Sequence, residues 1–144
     1  MRGVWGIHPG WGVTAVRIAV ALVFIFAGWG KVNAGLGVVG ANFEKWGIPL
    51  GSVFGPFIAI LELVGGTLLL LGIAGRWLGL LFTIEFIVAF FYVKLPNGFA
   101  GARIDMLLLA GSFLIFAAGP GKAAIDALWL EKETAGRRAV PRAA

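Results

Sequence analysis

The sequence predicts an all-α integral membrane protein, an up-down bundle of four transmembrane helices with both termini in the cytoplasm. The first observation is composition: hydrophobic residues make up 60% of the 144 residues, charged residues 13%, and the mean hydropathy is +0.95. An average soluble domain has about 25% charged residues, and a chain of this size cannot hide so much apolar surface in one core. The second observation is that the apolar residues fall into four segments of helix length.

Each segment is long enough to cross the hydrocarbon core, for which a helix needs about 20 residues. The predicted spans are residues 13–32, 53–73, 77–95 and 104–119. Only Ala74, Gly75 and Arg76 separate the second span from the third, so these two form an antiparallel hairpin. The sequence Gly119-Pro120-Gly121 ends the fourth, because proline and glycine rarely continue a helix. We expect the first span to be a retained anchor and not a cleaved signal peptide, since no small-x-small cleavage site follows it.

Two further segments are predicted to lie on the membrane surface. Leu36, Val39, Phe43 and Trp46 are spaced as one face of a helix, so residues 36–47 are read as a short amphipathic segment. The alternative is a glycine-rich loop. Residues 122–133 form a second interfacial segment, and residues 134–144 form a mobile basic tail.

The distribution of lysine and arginine predicts the orientation, because cytoplasmic flanks carry an excess of both. The side that holds the two termini carries eight of these residues and the other side carries four. Both termini are therefore predicted in the cytoplasm, and the protein in the inner membrane as a multi-pass protein. The eight are Arg2, Arg17, Arg76, Lys122, Lys132, Arg137, Arg138 and Arg142, and the four are Lys31, Lys45, Lys94 and Arg103.

Several kinds of chemistry are excluded by residue type. The chain has no cysteine and one histidine, His8, so it has no disulfide, no thiol chemistry and no Cys-ligated cluster. The net charge of +5 is spread around apolar segments, which favours anionic lipid over nucleic acid. The spacing of Gly35, Gly37 and Gly40 matches a dinucleotide motif, but no strand precedes it.

The ionisable residues inside the spans are the candidates for function, because a charge at mid-membrane costs about 2.5–3.5 kcal/mol on insertion scales. Glu62 and Glu85 lie near the middle of the second and third spans. A set of other charged residues lies toward the outer ends and can converge on them: Lys31, Lys94, Arg103 and Asp105. Small residues share the helix faces of Lys31 and Glu62 and would let these helices approach closely: Ala21, Gly28, Ala59 and Gly66.

Two readings of these charges stay open, and they are compatible. Glu62 and Glu85 either fix helix packing by pairing with the bases, or they line a pocket open toward the outer leaflet. Such a pocket would bind a quinone-like headgroup and exchange protons with it, with nearby aromatics sandwiching the ring: Phe24, Phe86, Phe90, Tyr92 and Phe99. On the inner side, Arg17, Arg76 and Lys122 are expected to extend to the headgroups.

The order of several short motifs resembles the DoxX family of small four-helix membrane proteins. The resemblance extends from about Arg17 to Leu128. The matching pieces are Gly28-Trp-Gly-Lys31, Gly47-Ile-Pro49, Glu62-Leu-Val-Gly65-Gly66, Leu71-Gly72 with Arg76, Glu85-Phe-Ile-Val-Ala89, Lys94-Leu-Pro-Asn-Gly98-Phe99, Asp105-Met-Leu-Leu-Leu, Gly119-Pro-Gly121 and Ile125-Asp126-Ala127.

The resemblance implies a link to redox chemistry, since the family takes its name from a subunit of an archaeal thiosulfate:quinone oxidoreductase. Lys94 stands where relatives often carry a histidine, which argues against a histidine-based proton or metal role here. The leading hypothesis is a membrane subunit or partner of a quinone-linked oxidoreductase, with no intrinsic cofactor, no metal and at most a borrowed membrane quinone. The alternative is a non-catalytic assembly subunit that docks on a larger membrane complex; other subunits, or further copies of the chain, are the expected partners. A cavity that reaches Glu62 would favour ligand binding, and a core in which every carboxylate is paired would favour the structural alternative.

Overall fold

Five helices make up most of the computed structural model, which describes residues 8–129. Four are long and apolar enough to cross a membrane: α1 (Pro9–Ala34), α3 (Gly51–Leu71), α4 (Gly75–Asn97) and α5 (Phe99–Ala118). The short helix α2 (Leu36–Lys45) connects α1 to α3. No strand occurs between residues 8 and 129. The predicted all-α fold with four spanning helices is confirmed.

All four spanning helices start earlier than hydropathy predicts, and the local chemistry explains the two largest differences, at α1 and α5. Helix α1 begins at Pro9, whose fixed φ suits the first helical position, and the His8 Nδ1 accepts a hydrogen bond from the Gly10 N–H at 3.0 Å. Helix α5 begins at Phe99, directly after Gly98, which turns the chain with a φ of +108°. The first five residues of α5, which precede the predicted span, include two small alanines, a glycine and the charged Arg103.

Some predictions fall on residues 1–7 and 130–144, outside the described residues. They include the mobile tail at 134–144, part of the interfacial segment 122–133, and five of the eight basic residues that the orientation count places on the side of the termini. Within the described part of that segment, residues 125–129 are helical.

Close helix approach builds the bundle around α1. A Cβ on Gly28 would overlap the backbone of Leu63 on α3, and one on Gly66 would lie 3.0 Å from Phe24. Ala21 and Ala59 are fully buried. The expectation that small residues let the helices approach beside Lys31 and Glu62 is confirmed. The core next to this contact is aromatic, with the rings of Phe24 and Phe82 stacked at 3.8 Å between centroids.

One end of the bundle, here called the terminal end, holds His8, the turn between α3 and α4, and residues 119–129. Arg17 is only 2% exposed there, and its guanidinium donates to the carbonyl oxygens of Pro120 and Ala123, both at 2.5 Å, and of Leu70 at 3.4 Å. The prediction that Arg17 extends to lipid headgroups is wrong, because these carbonyls surround it within the protein. Arg76 and Lys122 are exposed, as expected.

The same end is closed by a carboxylate at a helix start. Asp126 accepts hydrogen bonds from the backbone N–H groups of Ala74 and Gly75 at 3.1 and 2.9 Å, which are free donors at the beginning of α4. A negative charge at this position also complements the helix dipole. The segment after α5 is therefore fastened to both α1 and α4.

The opposite end, here called the cavity end, holds α2 and the turn between α4 and α5. Helix α2 forms as the spacing of its apolar residues predicted, with Val39 and Phe43 buried. It packs on the start of α3, where a Cβ on Gly55 would lie 2.7 Å from Gly40. The Glu44 Oε1 accepts a hydrogen bond from the Ser52 N–H at 3.2 Å. Its place at a membrane surface stays a prediction.

Candidate functional site

A cavity of about 570 Å³ occupies the cavity end of the bundle. Its volume lies within the range of small-molecule sites, about 300–1,000 Å³. All five helices contribute to its wall, which is apolar apart from a few charged side chains. The lining residues are Val23, Ala27, Lys31, Phe43, Trp46, Ile48, Pro49, Phe54, Phe57, Ile58, Leu61, Glu62, Leu81, Ile84, Glu85, Phe86, Val88, Ala89, Val93, Lys94, Ile104, Asp105 and Leu108.

An ion pair between α1 and α3 forms the deepest polar part of the cavity. The Lys31 Nζ donates to the Glu62 Oε2, and Glu62 is 2% exposed while the Lys31 side chain is 30% exposed. Glu62 follows the start of α3 by eleven residues, so it lies about 16 Å into the bundle at a rise of about 1.5 Å per residue. This is close to half the thickness of a hydrocarbon core of about 30 Å.

A second carboxylate stands beside the ion pair. Glu85 on α4 neighbours both Glu62 and Lys31, and its Oε2 atom is buried without a hydrogen-bond partner. A buried polar atom without a partner costs about 1–3 kcal/mol or more, so such atoms are rare in folded proteins. Glu85 therefore lines the cavity next to the ion pair, with one carboxyl oxygen buried and without a hydrogen-bond partner.

The backbone of both acidic helices departs from the regular α-helix at the cavity. Residues Leu61–Gly65, which include Glu62, form a π-helical segment in α3, and Val88–Lys94 form another in α4. Such segments are rare and occur often at functional sites. Each π-helical segment rotates the residues that follow it, and so changes which of them face the cavity. The hydropathy pattern does not indicate where such a segment occurs.

The structure brings together five of the six predicted site residues. Lys31, Glu62, Glu85, Lys94 and Asp105 line the cavity, and Arg103 is exposed and does not. Arg103 lies next to the start of the fourth predicted span, at a suitable depth for the predicted site. The face of α5 that lines the cavity carries Asp105 instead.

The predicted aromatic set is mostly wrong. Phe86 lines the cavity, but four others do not: Phe24, Phe90, Tyr92 and Phe99. Phe24 and Phe90 are buried among other helices, while Tyr92 and Phe99 are exposed. Four other aromatics line the cavity, on α2, on the turn after it and on α3: Phe43, Trp46, Phe54 and Phe57. Depth along a helix follows from sequence position, but rotation about its axis depends on packing.

A cover closes the end of the cavity. We use this term for residues 43–49, of which Phe43, Trp46, Ile48 and Pro49 line the cavity. The Tyr92 hydroxyl on α4 donates to the Gly47 carbonyl oxygen at 3.2 Å, so the cover reaches from α3 across to α4. Gly47 itself has a φ of +78°, a conformation that glycine adopts without strain.

Comparison with known proteins agrees with this architecture. The model of the DoxX family matches residues 12–95, more than half of the chain. The chain belongs to the DoxX family. The matched region of this DoxX protein contains α1 to most of α4, and with them Lys31, Glu62, Glu85 and Lys94.

Three relatives cover most of this DoxX chain. The "Uncharacterized membrane protein Rv3486" of Mycobacterium tuberculosis is 31% identical over 137 residues, covering 85% of this chain and 84% of that protein. The "Putative oxidoreductase CatD" of Bacillus subtilis is 34% identical over 116 residues, covering 80% and 84%. The "Inner membrane protein YqjF" of Escherichia coli is 34% identical over 126 residues, covering 84% and 94%. No solved structure is significantly similar to the chain.

Proposed function

We propose that this protein binds a quinone-like headgroup in its cavity, as a membrane subunit or partner of a quinone-linked oxidoreductase. The observation that carries the proposal is the partnerless Glu85 carboxylate oxygen in a cavity that reaches the middle of the bundle. The name of one relative, "Putative oxidoreductase CatD", is consistent with this proposal.

The arrangement suits a ring with oxygen atoms on an apolar body. Lys31 and Glu85 lie at the deep end, where they can contact a headgroup oxygen, and apart from Lys94 and Asp105 the remaining wall is formed by apolar side chains. Sites of this kind bind by apolar contact and orient the ligand with a few polar groups. Aromatic Phe86 and Phe57 are the ring contacts that the geometry favours.

Counting charges indicates how a proton would be handled. One ammonium, on Lys31, faces the carboxyl groups of Glu62 and Glu85. A net charge is costly in an apolar site, and the three groups together are neutral when the two carboxyl groups share one proton. In the proposed role, Glu85 donates that proton to a headgroup oxygen when a partner protein reduces the ring. The electrons come from the partner, since a chain with no cysteine and one histidine has few ligands for its own redox centre.

The test is quinone content after purification in a mild detergent. Wild-type protein, Glu85→Gln and Arg103→Gln would be extracted with organic solvent and the quinones measured by mass spectrometry. We expect bound quinone in wild type and in Arg103→Gln, which changes an exposed charged residue outside the cavity, and its loss in Glu85→Gln. Glu62→Gln is a weaker test, because it leaves Lys31 without its partner and costs about 3–5 kcal/mol in a buried pair.

A stability measurement separates binding from structural support. If Glu85 serves binding, Glu85→Leu replaces a partnerless carboxyl by an apolar group, and the unfolding temperature in detergent stays level or rises. If Glu85 holds the helices together, the same variant unfolds at a lower temperature. Quinone-free wild-type protein whose Glu85 variants unfold or lose co-purifying proteins would overturn the proposal in favour of the assembly alternative.

We also propose that both termini face the cytoplasm of the inner membrane, which places the cavity end toward the outer side. The support is the excess of lysine and arginine at the terminal end. Because the chain has no cysteine, single cysteines at Ala100 and Ala118, the two ends of α5, can test this. A membrane-impermeant maleimide should label Ala100→Cys in spheroplasts and leave Ala118→Cys unlabelled until lysis. The reverse pattern would contradict the orientation.

A further inference from the structure

We propose that the ligand enters the cavity sideways from the bilayer, through the groove between α3 and α4, and that an apolar tail stays in this groove. The inference rests on the proposed function, because the tail belongs to the ligand whose headgroup contacts Glu85. It restricts the substrate class to amphiphiles with a polar head and a long apolar chain. Solutes that reach the protein from water are excluded.

The groove exists because α3 and α4 diverge from their shared turn. Their contacts concentrate near that turn, between the last part of α3 and the start of α4, and Gly65 is the point where α3 still meets Leu78 and Phe82. Toward the cavity end, side chains from both helices line the cavity and are exposed at the same time: Phe54, Phe57, Leu81, Ile84 and Val88. An exposed side chain at this depth of a spanning helix faces lipid, so the cavity is open to the bilayer.

The cover lies between much of the cavity and the water at the cavity end. Residues 43–49 lie over the cavity, fixed to α3 through the hydrogen bond of Glu44 with the Ser52 N–H and to α4 through that of Tyr92 with the Gly47 oxygen. The cover presents apolar side chains, Phe43 and Ile48 among them, to the cavity. A polar solute would have to break these contacts, while a ligand dissolved in the bilayer would not.

The chemistry of the wall changes along this path. The groove is lined by aromatic and aliphatic side chains, and the charged pair of Lys31 and Glu62 with Glu85 lies behind them. A headgroup on an apolar chain matches both parts at once, and the chain adds buried apolar area at about 25 cal/mol per Å². Between α1 and α5, two lining residues, Val23 and Ile104, are also exposed, which makes this side of the cavity the alternative route.

The test compares tailed and tailless probes on variants at matched positions. Radiolabelled decyl-ubiquinone and the tailless ubiquinone-0 headgroup would be titrated into the full chain in nanodiscs. Ile84→Trp fills the groove, since Ile84 lines the cavity and is 53% exposed. Ile87→Trp is the control, because Ile87 is 46% exposed one turn away and does not line the cavity. Ile104→Trp fills the alternative route.

We expect Ile84→Trp to weaken decyl-ubiquinone binding by about tenfold or more, with the tailless probe and both other variants changed less than about twofold. Unfolding temperatures equal to wild type would show that the variants fold. Equal binding by Ile84→Trp and Ile87→Trp, with binding still lost in Glu85→Gln, would overturn the sideways route alone. A selective loss in Ile104→Trp would also overturn it in favour of the alternative route. Failure of wild type to bind either probe would overturn the proposed function itself.

Discussion

The two ends of the bundle bury charge in opposite ways. At the terminal end, the two terminal nitrogens of Arg17 donate to carbonyl oxygens of the chain, while its Nε is buried without a partner. Asp126 accepts from backbone N–H groups at the start of α4. At the cavity end, Lys31 and Glu62 pair with each other, and Glu85 retains an oxygen without a partner beside open volume. Backbone groups are part of the chain and cannot dissociate from it, so the arrangement at the terminal end is suited to stability. An unpartnered side chain beside a cavity is suited to a ligand.

The largest effect that tests this contrast is expected at Arg17. Arg17→Met removes a buried cation and leaves the Pro120, Ala123 and Leu70 carbonyl oxygens with fewer donors, which we expect to cost about 2–5 kcal/mol of unfolding free energy. Unfolding can be followed by tryptophan fluorescence in detergent. Arg76→Met is the control at the same end, because Arg76 is exposed, and it should change stability by less than about 0.5 kcal/mol. Equal losses would show that Arg17 has no special role.

A smaller effect is expected where α1 approaches α3 beside the ion pair. Gly28→Ala adds a Cβ that overlaps the Leu63 backbone, and overpacking of this kind costs about 1–3 kcal/mol. Gly30→Ala, two residues along the same helix, meets nothing within 4 Å. It should stabilise the protein by about 0.5–1 kcal/mol, because alanine is the better helix former. A lower unfolding temperature for Gly28→Ala together with a higher one for Gly30→Ala would establish the contact. Shifts in the same direction for both variants would contradict it.

The smallest effect is expected at the cover. Tyr92→Phe removes the hydrogen bond to the Gly47 oxygen, for about 0.5–1.5 kcal/mol or less because Tyr92 is exposed. The informative readout is access from water. A cysteine at Phe57, which lines the cavity, should react faster with a water-soluble thiol reagent when Tyr92 is also changed to Phe. A rate unchanged by the Tyr92 substitution would show that the cover is held by other contacts.

Hydropathy predicted the cavity end better than the terminal end. The four spans followed from apolar length, and the convergence of Lys31, Glu62 and Glu85 followed from their depth, since a charge inside a span needs a partner. The hydrogen bonds of Arg17 could not be predicted, because its partners are backbone carbonyl oxygens, which every residue type has. A basic residue near a helix end has the same sequence pattern whether it contacts lipid or protein.

The sequence also did not predict which face of each helix turns toward the cavity. Depth along a span is a count of residues, but the face turned toward the cavity depends on neighbouring helices and on the two π-helical segments. This is why Arg103 and most of the predicted aromatics do not line the cavity, although their depth was suitable. Glu85 without a hydrogen bond for its Oε2 atom is likewise visible only in the assembled bundle.

The hydrogen bonds of Arg17 with the segment after α5 have a consequence for the insertion of the protein into the membrane. Its acceptors on Pro120 and Ala123 lie more than 100 residues later in the chain, so they do not exist when α1 leaves the ribosome. During synthesis the guanidinium must be solvated by water, by headgroups or by the insertion machinery. It changes to protein partners only after α5 has crossed the membrane. These contacts therefore join the first helix to the segment after the last, and they form only once nearly the whole bundle has been synthesised.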